Sequence, residues 1–260
     1  MPLRSTRAVF MRGGTSNAIM FRSQDLPPNP ADWDAIFLAA MGSPDPNGRQ
    51  LDGMGGGVSS LSKVCIVGAP TRPDADVDYT FAQISIETPV VDYSSNCGNM
   101  SSAVGPFAVD EALVPAPTGA EATIRIHNTN TGKIIVARFP IENGRAVTEG
   151  DLALDGVAGT AAPIRLDFTD PGGSKTGRLL PTGNVVDQLE VPGFGSIEAS
   201  LVDAANPGVH VRAEDVGLTG LEMPAEIEGD PTLMNRLEAL RQAAAVAMGV
   251  FPDLARPRGW

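Results

Sequence analysis

Apolar residues along the chain fall into three helical stretches set among many short alternating ones. Asn29-Pro30 followed by Trp33, Ile36, Phe37 and Ala40 and closed by Gly42 predicts a short amphipathic helix with an N-cap, a proline in the first turn and a terminal glycine. A second helix begins near Asn96-Cys97-Gly98-Asn99 and runs through Ala103, Val104, Phe107, Ala108 and Val109 to Leu113. It is apolar nearly all round, so it belongs at the centre of a domain, with Gly105-Pro106 marking a kink. A third spans 231–248, with Asp230 as N-cap, Gly249 as stop and Leu233, Leu237, Leu240 and Ala244 at helical spacing. Residues 62–67, 79–86, 122–127 and 133–139 read as strands, the last two joined by a hairpin loop at 128–132. Many strands around one buried helix predict an α+β fold in which a curled, mostly antiparallel sheet wraps that helix. A turn-rich stretch at 180–184 suggests a boundary, giving domains 1–182 and 183–260.

Composition narrows the classes. The 260 residues include 29 Gly and 22 Pro, and 42% are hydrophobic, as expected of a turn-rich globular chain. Nineteen basic against 31 acidic residues leave a net charge of −12, which repels nucleic-acid phosphates and anionic lipid heads. No stretch approaches the roughly 20 apolar residues of a membrane helix, and the N-terminus lacks a signal-peptide core, so a cytoplasmic protein is expected. With two cysteines, Cys65 and Cys97, and two histidines, His127 and His210, no Cys/His metal cluster is expected. Lysine is rare: Lys63, Lys133 and Lys175 stand against sixteen arginines, which draws attention to Lys63.

Three motifs bear chemistry. Met11-Arg12-Gly13-Gly14-Thr15-Ser16 ends a strand in two glycines and two hydroxyls; it reads either as a carboxylate-holding loop or as a plain hairpin turn. Asp52-Gly53-Met54-Gly55-Gly56-Gly57-Val58-Ser59-Ser60 lacks the dinucleotide spacing and precedes its strand, so a nest of backbone N–H groups facing an anion is the functional reading. Gly173-Ser174-Lys175-Thr176 is no phosphate loop, because the Gly-Lys adjacency is missing. Lys63 shares a strand face with Cys65 and Val67; it reads either as a partly desolvated general base or as an edge-strand lysine that discourages aggregation. Cys97 opens the apolar helix, where the dipole favours a thiolate and the free N–H groups suit a carboxylate or enolate oxygen; the alternative is an ordinary buried cysteine. Cys65 reads as core, and His127 and His210 as structural or substrate-orienting.

Together Met11–Ser16, Asp52-Gly53 with Gly55-Gly56-Gly57 and Ser59-Ser60, Ser62-Lys63-Val64, Asn96-Cys97-Gly98-Asn99, Gly105-Pro106-Phe107-Ala108 and Asp203-Ala204-Ala205-Asn206-Pro207 resemble the PrpF family. That family includes 2-methylaconitate cis-trans isomerase and 4-oxalomesaconate tautomerase. The resemblance implies the diaminopimelate epimerase fold, each domain a curled sheet or barrel around a central helix, with a small polycarboxylate substrate held between domains and no metal or organic cofactor. It implies Lys63 and Cys97 as the catalytic pair. Substrate contacts are expected from Arg12, Gly14, Thr15, Ser16, Ser59, Ser60, Asn96, Gly98, Asn99 and Asn206. The chemistry implied is a proton shift in an unsaturated tricarboxylic keto acid. Met41–Asp45, Ala75–Tyr79 and Gly159–Ile164 look closest to the oxalomesaconate tautomerase branch, an activity of aromatic-acid breakdown; methylaconitate isomerisation is the alternative. A homodimer is a further expectation.

The chain departs from the family pattern in two places. Members usually read Ser-Lys-Gly where this chain has Ser16-Asn17-Ala18, which removes a positive charge beside the proposed carboxylate loop. Members are also longer, so a second domain starting at 183 is expected to be incomplete at Trp260. The reading from another class is therefore a truncated, non-catalytic remnant that binds a small acid or a partner through its unfinished domain.

Overall fold

A computed structural model describes residues 5–251 and divides into two compact units between Asp170 and Pro171. In the first unit the strands β1 (Val9–Gly13), β2 (Ser16–Arg22), β3 (Lys63–Gly68), β4 (Val77–Ile84), β6 (Glu121–Asn128), β7 (Lys133–Glu142) and β11 (Arg165–Phe168) form one sheet in the order β1-β2-β3-β4-β6-β7-β11. Two short strands extend it, β5 (Val91–Asp92) on β4 and β8 (Arg145–Ala146) on β7, while β9 (Leu152–Ala153) and β10 (Thr160–Ala161) pair separately. Only β2/β3 and β4/β6 are parallel; every other pair in the sheet is antiparallel.

Two helices cover opposite faces. α1 (Trp33–Met41) follows a 3-10 turn at Pro30–Asp32 whose first free N–H, on Ala31, donates to Asn29 Oδ1; left-handed Gly42 ends it. Its Phe37 and Met41 pack on Ile19, Phe21, Val64 and Ile66. α2 (Gly98–Asp110) takes the other face and meets strands from β1 at one end of the sheet to β11 at the other, so the sheet curls round it. Met100, Val104 and Phe107 lie against Met20, Cys65, Tyr79, Phe81, Ile126 and Phe139. Each large side chain buried this way stabilises by about 1.5–3 kcal/mol. The period of two along β3 thus sends Cys65 and Val67 to α2 and Val64 and Ile66 to α1. Gly105 lets α2 approach β7, since a Cβ there would sit 2.6 Å from the Phe139 ring.

The second unit holds an antiparallel sheet, β12 (Asp187–Val191), β13 (Gly195–Ala204) and β14 (Asn206–His210), followed by α3 (Pro224–Glu228) and α4 (Pro231–Ala247). Asp230 caps α4 by accepting from Thr232 and Leu233, and Leu240, Ala243 and Ala244 pack on Leu189, Val191 and Leu201. The fold is α+β, a curled and mostly antiparallel sheet around a helix in the first unit.

The division between units precedes the boundary read from the turn-rich stretch at 180–184. Residues 171–179 are tied to β13 by backbone bonds and by Asp203, fully buried on β13, which accepts from Ser174 Oγ (2.6 Å), Lys175 N (2.8 Å), Thr176 N (2.8 Å) and Thr176 Oγ1 (3.0 Å). The loop from Gly172 to Gly177 is an anion nest filled by the chain's own carboxylate, and so it belongs with β13. The chain end Pro257–Trp260 lies outside the described residues.

Candidate active site

The β1–β2 connection is a hairpin turn, with Gly13 opposite Ser16 and Gly14 at φ +53°. It is more than a turn, because the start of α2 rests on it. A Cβ on Gly13 would lie 2.6 Å from the Asn99 carbonyl oxygen, and one on Gly14 2.4 Å from Asn99 Oδ1. Asn99 Nδ2 donates to Thr15 Oγ1 at 3.0 Å, while Arg12 Nη1 donates to the Gly14 carbonyl at 2.7 Å. The structure therefore brings Arg12, Gly14, Thr15, Gly98 and Asn99 together. Ser16 is buried as the first residue of β2, and the neighbouring Asn17 Oδ1 is buried with no hydrogen-bond partner among the described residues.

Cys97 is the N-cap of α2, with extended backbone and a partly buried side chain against the α2 core. Its carbonyl accepts from Ser101 N and Ser101 Oγ, both at 3.0 Å. Asn96 is buried beside it, with Ser101 Oγ also 3.4 Å from Asn96 Oδ1.

Lys63 opens β3 and is 8% exposed. Because β3 lies between β2 and β4, the edge-strand reading of Lys63 is overturned. Its Nζ donates to Gln83 Oε1 at 2.6 Å and lies 5.2 Å from the centre of the Phe81 ring, on the α2 side of the sheet. Gln83, opposite Lys63 in register, spends its Nε2 on the carbonyls of Ser59 and Ser62. The other lysines differ. Lys133 pairs with Asp170, and the Lys175 backbone N–H donates to Asp203.

The glycine-serine loop does not present an open nest through Gly57. Its N–H donates to Oε1 of the fully buried Gln50, which also accepts from Ser62 Oγ and donates from Nε2 to Ser43 Oγ. Gly55 packs on the same carboxamide, where a Cβ would lie 2.2 Å from Oε1. Ser59 and Ser60 form a 3-10 turn, Ser59 exposed and Ser60 half-buried. Gln50 and Gln83 were not singled out in sequence; a glutamine in a loop or strand carries no periodic signature.

Cys65 is fully buried, as read from its strand, and burial pushes its thiol far up, with the Cys97 thiol adding to the shift and the Lys63 charge opposing it. His127 Nδ1 pairs with Asp78 Oδ1 at 2.8 Å in a structural contact, and His210 is exposed on β14. Asn206 opens β14 in the second unit, across a turn at left-handed Ala205. A cavity of about 320 Å³ lies against the outer side of α2, lined by Arg12, Gly14, Gly98 and Asn99 and by apolar residues such as Leu152 and Leu166; neither Lys63 nor Cys97 lies on its wall. Among the described residues no three His, Cys, Asp or Glu side chains come together as a metal site, and no helix is long and apolar enough to cross a membrane.

A family model described as PrpF protein matches residues 3–257. The chain belongs to the PrpF family. It is 48% identical over 242 residues to the 3-methylitaconate isomerase of Eubacterium barkeri, covering 93% of this chain and 63% of that protein. It is 45% identical over 258 residues to the 2-methyl-aconitate isomerase of Cupriavidus necator, covering 95% and 65%. It is 46% identical over 233 residues to the 4-oxalomesaconate tautomerase of Pseudomonas putida, covering 90% and 62%. The crystal structure of a methylitaconate-delta-isomerase superposes with a TM-score of 0.75 at 46% identity, covering 96% of this PrpF chain and 63% of the other. The PrpF chain thus spans under two thirds of the length of these relatives.

Proposed function

We propose that the chain carries the lysine–cysteine half of an isomerase that moves a proton along an unsaturated polycarboxylic acid. The observation that carries this reading is the buried Lys63 amine, fixed by Gln83 on the same side of the sheet as the thiol at the start of α2. Lys63 removes a proton from the carbon next to the double bond, leaving a dienolate whose charge spreads to a carboxylate oxygen. Cys97, with the first N–H groups of α2, faces that charge, and the proton returns at the far carbon of the allylic system; one C–H bond breaks, one forms and the double bond moves between them. Within the first unit, Arg12, Gly14, Thr15, Ser16, Ser59, Ser60, Asn96, Gly98 and Asn99 are the proposed substrate contacts.

The substrate class is a di- or tricarboxylic acid with a double bond beside an acidic C–H. Methylitaconate, methylaconitate and oxalomesaconate share that unit, and the relatives named for them are 45–48% identical to this chain. The oxalomesaconate reading rests on the Met41–Asp45, Ala75–Tyr79 and Gly159–Ile164 stretches. Each acid is incubated with the chain in deuterated water and exchange at the allylic carbon is followed by NMR, beside Lys63→Ala and Cys97→Ser. Exchange that both substitutions abolish is the expected result, with the fastest acid naming the substrate. A folded chain that exchanges none of the three sinks the reading in favour of a non-catalytic remnant.

A further inference from the structure

We propose that the Phe81 ring is an electrostatic support for Lys63, steadying the ammonium that forms when the amine takes the substrate proton. The proposal rests on the lysine–cysteine reading above. Phe81 is 2% exposed on β4, faces α2 and stands opposite Cys65 in register, one pair along from Lys63 and Gln83 on the same sheet face. A diagonal neighbour on a sheet face is within reach of a long side chain. Lys63 uses that reach: its Nζ sits over the ring, 5.2 Å from the centre, inside the roughly 6 Å within which a ring face attracts a cation. The backbone under the ring is clamped from the side. Asn130, in the loop joining β6 and β7, accepts from Phe81 N through Oδ1 at 2.8 Å and donates from Nδ2 to the Phe81 carbonyl at 2.9 Å. The same Nδ2 donates to the Tyr93 carbonyl at 2.8 Å.

The kind of partner matters more than the number. Unlike Lys133, which pairs with Asp170, Lys63 has no carboxylate partner among the described residues; its partners are one amide oxygen, Gln83 Oε1, and one ring face. A carboxylate in their place would favour the ammonium before the reaction begins and leave little free amine to act as a base. An amide dipole and a ring quadrupole are neutral and attract the cation less strongly. In the first step the C–H bond breaks, its electron pair stays in the dienolate and the proton goes to Nζ. Positive charge therefore develops at the face of the ring, and the attraction grows on the way to the transition state. The titratable groups on this side of the sheet are Cys65, beside Lys63 on β3, and Cys97 at the start of α2. Burial holds the Cys65 thiol protonated, so it brings no charge of its own to the amine.

Mono-, di- and trifluorophenylalanine in place of Phe81 keep the shape of the ring and drain negative charge from its face. The first readout needs no substrate: acylation of the lysines by acetic anhydride at one fixed pH, followed by peptide mass spectrometry, with Lys133 and Lys175 as internal references. Only the free amine acylates, so Lys63 is expected to react faster with each added fluorine while the two references stay level. The second is turnover of the best acid on the alkaline plateau of its pH–rate profile, where the amine carries no proton. There kcat is expected to fall stepwise, by about two- to tenfold across the series, with KM changed by less than about twofold. Either readout indifferent to the number of fluorines overturns the proposal, even if Phe81→Leu is slow, because the ring is then only packing. Fluorine leaves the core filled, so the series decides should Phe81→Leu not fold. A parent with no turnover defeats the functional reading, while the acylation rates still judge whether the ring holds the ammonium.

Discussion

Lys63 Nζ lies 2.6 Å from Gln83 Oε1, and the other end of that carboxamide holds the carbonyls of Ser59 and Ser62 at 3.0 and 2.9 Å. One side chain therefore fixes both the amine and the exit of the glycine-serine loop. Gln83→Ala frees the amine and strips both carbonyls of a donor. The expected loss in kcat is about 10- to 100-fold, smaller than the roughly 10²–10⁴-fold loss from Lys63→Ala. Steady-state kinetics on the best acid checks this; a Gln83→Ala chain that turns over at the parental rate leaves the carboxamide without a part.

Gly13 and Gly14 are set by the start of α2. A methyl on Gly13 meets backbone, the Asn99 carbonyl oxygen at 2.6 Å and Met100 Cα at 2.9 Å, so either the hairpin or the helix must shift. On Gly14 it meets a side chain that can move, but φ +53° adds strain. Gly13→Ala should lower stability by about 1–3 kcal/mol, the range for overpacking. Gly14→Ala should cost less and mainly disturb the Asn99–Thr15 contact. Thermal melts of the two variants test the order, and a Gly14→Ala chain less stable than Gly13→Ala contradicts it.

Apolar patterning made the helices and most of the sheet legible: the short β-rich run at 62–67 gave β3, and the apolar band from Ala103 to Val109 gave a helix for the sheet to wrap. Lys63 and Cys97 were legible as residue types in a motif. What stayed hidden was the set of polar connectors. Gln50, Gln83 and Asp203 bond partners up to 29 residues away, and nothing in a local window marks them. The Asp203 contacts were hidden for the same reason, because the 172–177 loop they hold reads in sequence only as a turn. The edge-strand reading of Lys63 failed for a related cause, since strand order depends on which strands pair across the sheet.

Gln50 shows what such a connector is worth. It is fully buried with φ +52°, and its carboxamide serves Gly57 N, Ser62 Oγ and Ser43 Oγ. Gln50→Leu keeps much of the volume and removes all three contacts, leaving the Gly57 N–H unpaired. The expected cost is about 1–3 kcal/mol for that donor alone, with a lower urea midpoint and an unchanged slope. A midpoint equal to the parent's would mean that the glycine loop holds its shape without the carboxamide.

Asp203 gives the second unit a pH dependence of definite sign. Burial pulls its carboxyl upward, but the Ser174 hydroxyl and the N–H groups of Thr176 and Lys175 outweigh it and hold the group below the usual carboxylate range. A carboxyl lowered in the folded state stabilises fully above its unfolded value, near about 3.9, and that contribution fades as pH falls through the folded value. Asp203→Asn turns two acceptor oxygens into one acceptor and one NH2, which faces the N–H donors of the loop. At neutral pH the loop around Lys175 and Thr176 should open more easily by about 1.5–3 kcal/mol, the range for hydrogen bonds to a charged group. Amide hydrogen exchange at Lys175 and Thr176 reads this directly, and the gap between parent and variant should close in acid. A gap of constant size from neutral pH down to about pH 3 would show that packing of the 172–177 loop, and not the charge on Asp203, holds it to β13.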